Sequence, residues 1–277
     1  MIMPYSGQNR YRTFLKAGRI ITNKIATLDG VIGVLGTGAI GRRYGDENSD
    51  LDMIVYAHQD AVRCLRKIVS VGWISYKGVD YDIWVLSYEK ARKAGVPSKF
   101  WNQVTRWDQH NSQILYDTDD RIGTLLEDKL IYPDHEREKL MKKYHQDIHE
   151  YLIFFPEMWA TRGRLYNVVD ALTRSVQGII LWLYAKNRVF EPYIDKWLFY
   201  HLETRSIPEA VYLDTLTEIH TRSIRNLHEA MKFRQKLLEL CDRIGLKWEV
   251  YSCVEAHERC RVNWKKVSPE TRETLSW

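Results

Sequence analysis

The chain has 277 residues, of which 45% are hydrophobic and 28% charged, with 15 Gly and 7 Pro; this balance excludes an extended disordered chain and a collagen-like or linker-like one. Ten Trp, 17 Tyr and 7 Phe supply enough bulk for substantial cores without help from disulfides or structural metals. The net charge of +5 suits an anionic ligand such as a nucleotide and is too small to demand a nucleic acid.

From the N-terminal side, Tyr11 to Leu28 places Phe14, Leu15, Ile21, Ile25 and Leu28 at helical spacing across Gly18. Short β-rich runs follow at Val31–Leu35, Leu51–Tyr56, Trp73–Tyr76 and Tyr81–Leu86, with a fifth candidate at Ser112–Tyr116. Between the second and third of these, Gln59 to Val71 reads as a helix with Ala61, Cys64, Leu65 and Ile68 on one side. The mixture predicts a small α/β (α+β) sheet covered by helices. Past residue 130 the pattern becomes helical, with candidates at His135–Phe155, Arg162–Asn187, Pro208–Leu216 and Thr221–Arg243, broken near Pro192. Two domains are therefore expected, a mixed α/β one over 1–130 and a helical one over 131–277.

The chemistry concentrates in the segment from Gly33 to Tyr56, GVLGTGAIGRRYGDENSDLDMIVY. A strand ends at Leu35 and a turn follows with Gly36, Thr37, Gly38 and Gly41. Glycines let the backbone approach phosphate and aim N–H groups at it. The Thr37 hydroxyl adds a donor, and Arg42 and Arg43 add positive charge. Asp50 and Asp52 lie two apart at the head of a strand, so both fall on one face with Leu51 turned to the core. Paired carboxylates repel unless a cation lies between them; Mg²⁺ is the usual one, and it also binds phosphates. The run from Val79 to Leu86 supplies a third acid, Asp80 or Asp82. Asp82 is preferred because it is embedded in the apolar stretch, where a carboxylate needs a partner. The string from Gly36 to Gly41 also mimics a dinucleotide fingerprint, but the turn-like Tyr44–Ser49 segment stands where that motif wants a long helix.

The combination of Gly36-Thr37, Gly41, Ser49-Asp50-Leu51-Asp52 and a later strand aspartate resembles the DNA polymerase beta-like nucleotidyltransferase superfamily, with Thr37 where that family usually has Ser. The motif covers about the first third of the chain. Downstream, Ala185–Trp197 after a long helix with Asn167 resembles the helical half of bacterial nucleotidyltransferases similar in layout to the aminoglycoside and lincosamide enzymes. The resemblance implies a metal-dependent transferase that moves a nucleoside monophosphate, AMP from ATP, to a hydroxyl of a small molecule such as an antibiotic. It implies Asp50, Asp52 and Asp82 as catalytic and metal-binding residues, with one or two Mg²⁺. Asp82 would ligate a second metal or act as general base. Gly36, Thr37, Gly41, Arg42, Ser49 and Lys196 would hold the nucleotide. AMP transfer to a partner protein, nucleotide transfer to RNA, and a non-catalytic nucleotide-binding module are the alternatives.

Other constellations carry less. Cys241, Cys253, His257 and Cys260 are of zinc-ligand type at irregular spacing, and buried free cysteines explain them better. His145 and His149 share a helix face expected to be solvated. Arg222 and His228 form a short Arg-x5-His pattern of a kind found in helical ribonuclease domains, which arises often by chance. Trp159, Tyr166, Trp182, Tyr184, Phe190, Tyr193, Trp197 and Tyr200 are expected to be mostly core, with some walling a cleft. Four cysteines in a chain this long indicate a reducing compartment. Met1 to Arg10 carries no apolar signal region, and the longest apolar run, Gly178 to Ala185, is far short of the ~20 residues of a membrane span. A soluble cytoplasmic protein is expected.

Overall fold

The computed structural model describes residues 8–69, 74–76 and 79–247. In chain order the first part reads α1 (Tyr11–Ile25), β1 (Val31–Gly36), the single turn α2 (Gly38–Gly41), β2 (Leu51–Ala57), α3 (Val62–Val69), β3 (Ile74–Tyr76) and β4 (Val79–Ser87). It continues with α4 (Tyr88–Lys93), α5 (Gln103–His110), β5 (Gln113–Asp117) and α6 (Arg121–Lys129). All five expected strands form within a residue or two of their sequence bounds. The sequence reading contained none of α4, α5 and α6. Two of the three are started by side-chain caps: Ser87 accepts from the Lys90 amide and Asn102 from the Thr105 amide.

The strands make one sheet in the order β3-β4-β2-β1-β5. β1 runs antiparallel to both β2 and β5, whereas β2 and β4 are parallel. Both sheet faces are covered, which is why β2 reads as a nearly continuous apolar run. Leu51, Met53 and Val55 pack with Phe14, Ile21, Ile25 and Leu65 on the side of α1 and α3. Ile54 and Tyr56 face the other way, with Ala91, Trp101, Ile122 and Leu125. Asp52 shares the parity of Ile54 and Tyr56, so it belongs to this second face. Gly18 leaves α1 room for a neighbour: a Cβ there would lie 2.7 Å from Ile40 Cδ1.

The later part comprises α7 (Asp134–Ile148), a π-helical stretch His149–Phe154, α8 (Phe155–Thr161), α9 (Leu165–Lys186), α10 (Ile194–Trp197) and α11 (Tyr200–Glu203). A 3₁₀ turn Pro208–Tyr212, α12 (Leu213–Thr221) and α13 (Leu227–Arg243) follow. The helix expected over His135–Phe155 widens to π geometry just ahead of Pro156. A proline ring clashes with the carbonyl four residues back, and opening the turn relieves that clash. α13 starts later than expected, at the Asn226 cap, which accepts from the Glu229 amide.

Two compact units emerge, and their division differs from a single boundary near residue 130. One comprises the chain up to Tyr144 together with Ile180–Leu213; the other comprises His145–Ile179 and the chain from Asp214 onward. The reason is a third apolar cluster. Phe190 and Tyr200 pack on Trp107 of α5, with Leu130, Tyr132 and Trp197 against them. Segment 180–213 therefore belongs with the sheet. No helix among the described residues is long and apolar enough to cross a membrane.

Candidate active site

The site forms where β1 ends and β2 begins. The Thr37 amide donates to the Asp52 carbonyl at 2.9 Å, which ties the turn after β1 to the head of β2. Gly38 then adopts a left-handed backbone, φ +47°, and a Cβ there would fall 1.8 Å from Asp52 Oδ2. Only glycine satisfies both conditions. Gly36 and Gly41 have packing reasons of their own: their added Cβ atoms would meet Ile40 at 2.9 Å and the Asn111 carbonyl oxygen at 2.5 Å.

Asp52 stands in parallel register with Asp82 on β4. Asp80 pairs instead with Ser75 on β3. Asp82 was expected to be embedded in apolar surroundings; it is exposed, because β4 alternates and its buried members are Val79, Ile83, Val85 and Ser87. Its place beside Asp52 comes from strand register. Asp82 Oδ2 accepts from the Trp84 indole N–H at 2.6 Å.

A fourth acid, Asp108 on α5, has no counterpart in the sequence reading. Its carboxyl lies by the Thr37 hydroxyl, the Gly38 amide and Arg42, each of which favours the charged form. Burial pushes its pKa up against those three favourable contacts. Asp52 is pushed up to about 7, first by burial and then by Asp50 and Asp108, with Arg42 opposing and Asp82 adding to the rise. Three further carboxylates thus act on the half-buried Asp52, each disfavouring its charged form.

Arg42 is half-buried, its guanidinium lying 4.3 Å from the centre of the Trp197 ring and its Nε buried without a hydrogen-bond partner. Tyr193 is half-exposed, and the proximity of Asp108 and Asp52 adds to the rise that burial gives its hydroxyl pKa. Trp107 meets Tyr193 and Tyr200 edge-on at 6.3 and 5.3 Å. The segment after α9 therefore lays aromatic side chains beside the acids. Of the other expected aromatics, Trp182, Tyr184, Phe190 and Tyr200 are core and Tyr166 is exposed. Ser49 is engaged elsewhere: its hydroxyl donates to Asp46 Oδ1 and accepts from the Asp46 amide, both at 3.0 Å. Lys196 is exposed on α10, next to Trp197.

Among the described residues, no three His, Cys, Asp or Glu side chains form a ready-made metal cage. Mg²⁺ does not need one. It is commonly held by one or two carboxylates plus substrate phosphates. Asp50 and Asp52 offer hard oxygen ligands of that kind.

Comparisons with known proteins add little to this geometry. No protein-family model matches the chain, and no curated protein matches it in sequence. Several solved structures resemble it, among them two at low identity. One is a nucleotidyltransferase-like protein from Exiguobacterium sibiricum 255-15, aligned over 82% of this chain and 74% of that one, with 13% identity and a TM-score of 0.42. The other is spectinomycin adenyltransferase AAD(9) from Enterococcus faecialis, solved with ATP and spectinomycin, aligned over 82% of this chain and 98% of that one, with 14% identity and a TM-score of 0.34. At such values the likeness assigns no role to any residue.

Cys241 is a buried free thiol that burial pushes up to about 12; Cys253, His257 and Cys260 lie outside the described residues. His145 and His149 are half-exposed, and His145 Nε2 donates to the Lys247 carbonyl at 3.1 Å. Arg222 pairs with Glu218 one helical turn back at 2.8 Å, and His228 is exposed on α13.

Proposed function

We propose that the chain is a nucleotidyltransferase that moves a nucleoside monophosphate, AMP from ATP, onto a hydroxyl of a small molecule and releases pyrophosphate. The observation that carries this reading is the gathering of Asp50, Asp82 and Asp108 around Asp52, which itself lies against Gly38 of the turn after β1. Arg42, half-buried with an unpartnered Nε, supplies positive charge for phosphate oxygens, while the Thr37 hydroxyl and the Gly38 amide are turned to Asp108. Asp50 and Asp52 would hold Mg²⁺, which when bound neutralises charge on the triphosphate. The acceptor oxygen forms a bond to the α-phosphorus. The bond from that phosphorus to the α–β bridging oxygen breaks, and its electron pair leaves with pyrophosphate. The hydroxyl proton passes to Asp82, whose Oδ1 is free of the indole contact.

The test is incubation with labelled ATP, GTP, CTP or UTP and Mg²⁺ against aminoglycosides, spectinomycin, lincosamides, RNA and proteins. Label on a small hydroxylated compound, lost in Asp50→Asn and Asp52→Asn, is the expected result. Label on RNA or protein would redirect the acceptor class. Full transfer by both variants would remove the assignment of these carboxylates.

A further inference from the structure

An in-line displacement places the attacking oxygen and the leaving group on opposite sides of the phosphorus. The strand order makes this a statement about the sheet. β2 carries Asp52 and lies between β1 and β4. The turn after β1, with Thr37, Gly38 and the cationic Arg42 that would meet the triphosphate, stands on one flank of Asp52. Asp82 stands on the other flank, in register on β4. If pyrophosphate leaves over the β1 turn, the acceptor approaches over β4.

What stands on that approach is Trp84. It shares the face of Asp82, two residues on, and pairs across to Ile54. Its side chain is 59% exposed, although a large aromatic normally finds cover. It is also held in place, because its N–H is committed to Asp82 Oδ2 at 2.6 Å. An indole anchored at its polar edge, with its ring in water beside the residue that takes the proton, is a platform for a flat or puckered ring.

We infer that Trp84 is the acceptor platform, and that the acceptor is a hydroxylated ring compound whose apolar face lies on the indole while its hydroxyl meets Asp82 Oδ1. This rests on the nucleotidyltransferase reading and narrows it to cyclic acceptors entering from the β4 side. The same hydrogen bond makes Trp84 a positioning residue for Asp82, since it fixes which oxygen stays free.

The experiment uses the full chain in the labelled-ATP assay, with spectinomycin, kanamycin and lincomycin as ring probes and sorbitol as the open-chain control. Trp84→Ala is expected to raise the KM of the labelled ring compound by about tenfold or more, with the KM for ATP unchanged. Trp84→Phe keeps a ring and loses the N–H; it should hold the acceptor KM within about threefold and lower kcat by about tenfold. Trp84→His, which restores an N–H, should recover part of that kcat. Equal acceptor KM in wild type and Trp84→Ala would overturn the inference and leave the transferase reading standing. So would a parallel rise in the KM for ATP, or sorbitol labelled as well as the ring probes. No transfer by the wild-type chain to any ring probe would overturn the inference as well; loss of ATP binding alongside it would overturn the reading itself.

Discussion

Two glycines of the turn after β1 separate chemistry from packing. Gly38 sits at φ +47° with its missing Cβ directed at Asp52 Oδ2, 1.8 Å away. Alanine there pushes the carboxylate aside and strains the backbone. A displacement of this size near a reacting centre costs about 100-fold in rate, while the left-handed backbone costs about 1 kcal/mol. Gly38→Ala is therefore expected to lose transfer while unfolding only slightly earlier in urea. Gly41 contacts the Asn111 carbonyl instead, and backbone cannot swing away as a side-chain tip can. Gly41→Ala should lower the unfolding midpoint more than Gly38→Ala and leave more activity in the fraction that stays folded. Kinetics and urea titrations on the same two proteins check the contrast; equal loss of kcat in both would show that the turn acts only as a scaffold.

At the scale of an element, α5 is the piece that completes the site, and an ion pair that is costly to desolvate holds it. Arg106 is fully buried, donates to Glu136 Oε1 at 2.5 Å and to the Ile131 carbonyl at 2.8 Å, and Gln103 donates to the same Glu136 oxygen at 2.9 Å. Removing one partner leaves a buried charge alone, which costs about 3–5 kcal/mol, whereas replacing both with apolar groups is often neutral. Arg106→Met should thus destabilise strongly, and the double variant Arg106→Met with Glu136→Met should recover most of the loss in a urea double-mutant cycle. Asp108 lies two residues beyond Arg106, so transfer should follow the same pattern; additive losses in stability would mean the pair does not hold α5. The strands were legible because alternation is a local property of a sequence; Asp82 was preferred for an apolar embedding that the exposed face of β4 does not provide, and it stands beside Asp52 through strand register instead. Asp108 was not legible, since Trp107-Asp108-Gln109 is ordinary helical text and its partners Thr37 and Gly38 stand some seventy residues earlier. Ser49 was read as a nucleotide contact from its place beside Asp50, but its hydroxyl closes the Asp46 turn. Nothing in the spacing shows which way a side chain will turn.

The same limit applies to the molecule as a whole. The aromatic richness of the later half was visible, but not that Phe190 and Tyr200 pack on Trp107, which brings segment 180–213 into the sheet-bearing unit. One buried residue clamps that segment. His201 Nε2 donates to the Phe190 carbonyl at 2.9 Å, and Nδ1 lies 2.9 Å from Ser206 Oγ. Burial pulls its pKa from the ordinary 6.5 down to about 4, with His110 adding to the fall and the Phe190 carbonyl opposing it. The folded state therefore keeps the ring neutral while the unfolded chain takes up a proton as pH drops below 6.5. Its stabilising contribution is complete above pH 6.5, falls by up to about 1.4 kcal/mol per pH unit on acidification, and is spent near pH 4, a total of about 3 kcal/mol. In His201→Gln, which cannot titrate there, urea unfolding between pH 7 and pH 4 should show a shallower pH dependence, by close to one proton. An unchanged slope would place the proton uptake elsewhere. Because Tyr193 and Trp197 lie between Phe190 and His201, this acid sensitivity should appear first as loss of the aromatic wall beside Asp52 and Arg42. Activity in the wild type should then decline at a higher pH than global unfolding, and in His201→Gln that gap should narrow.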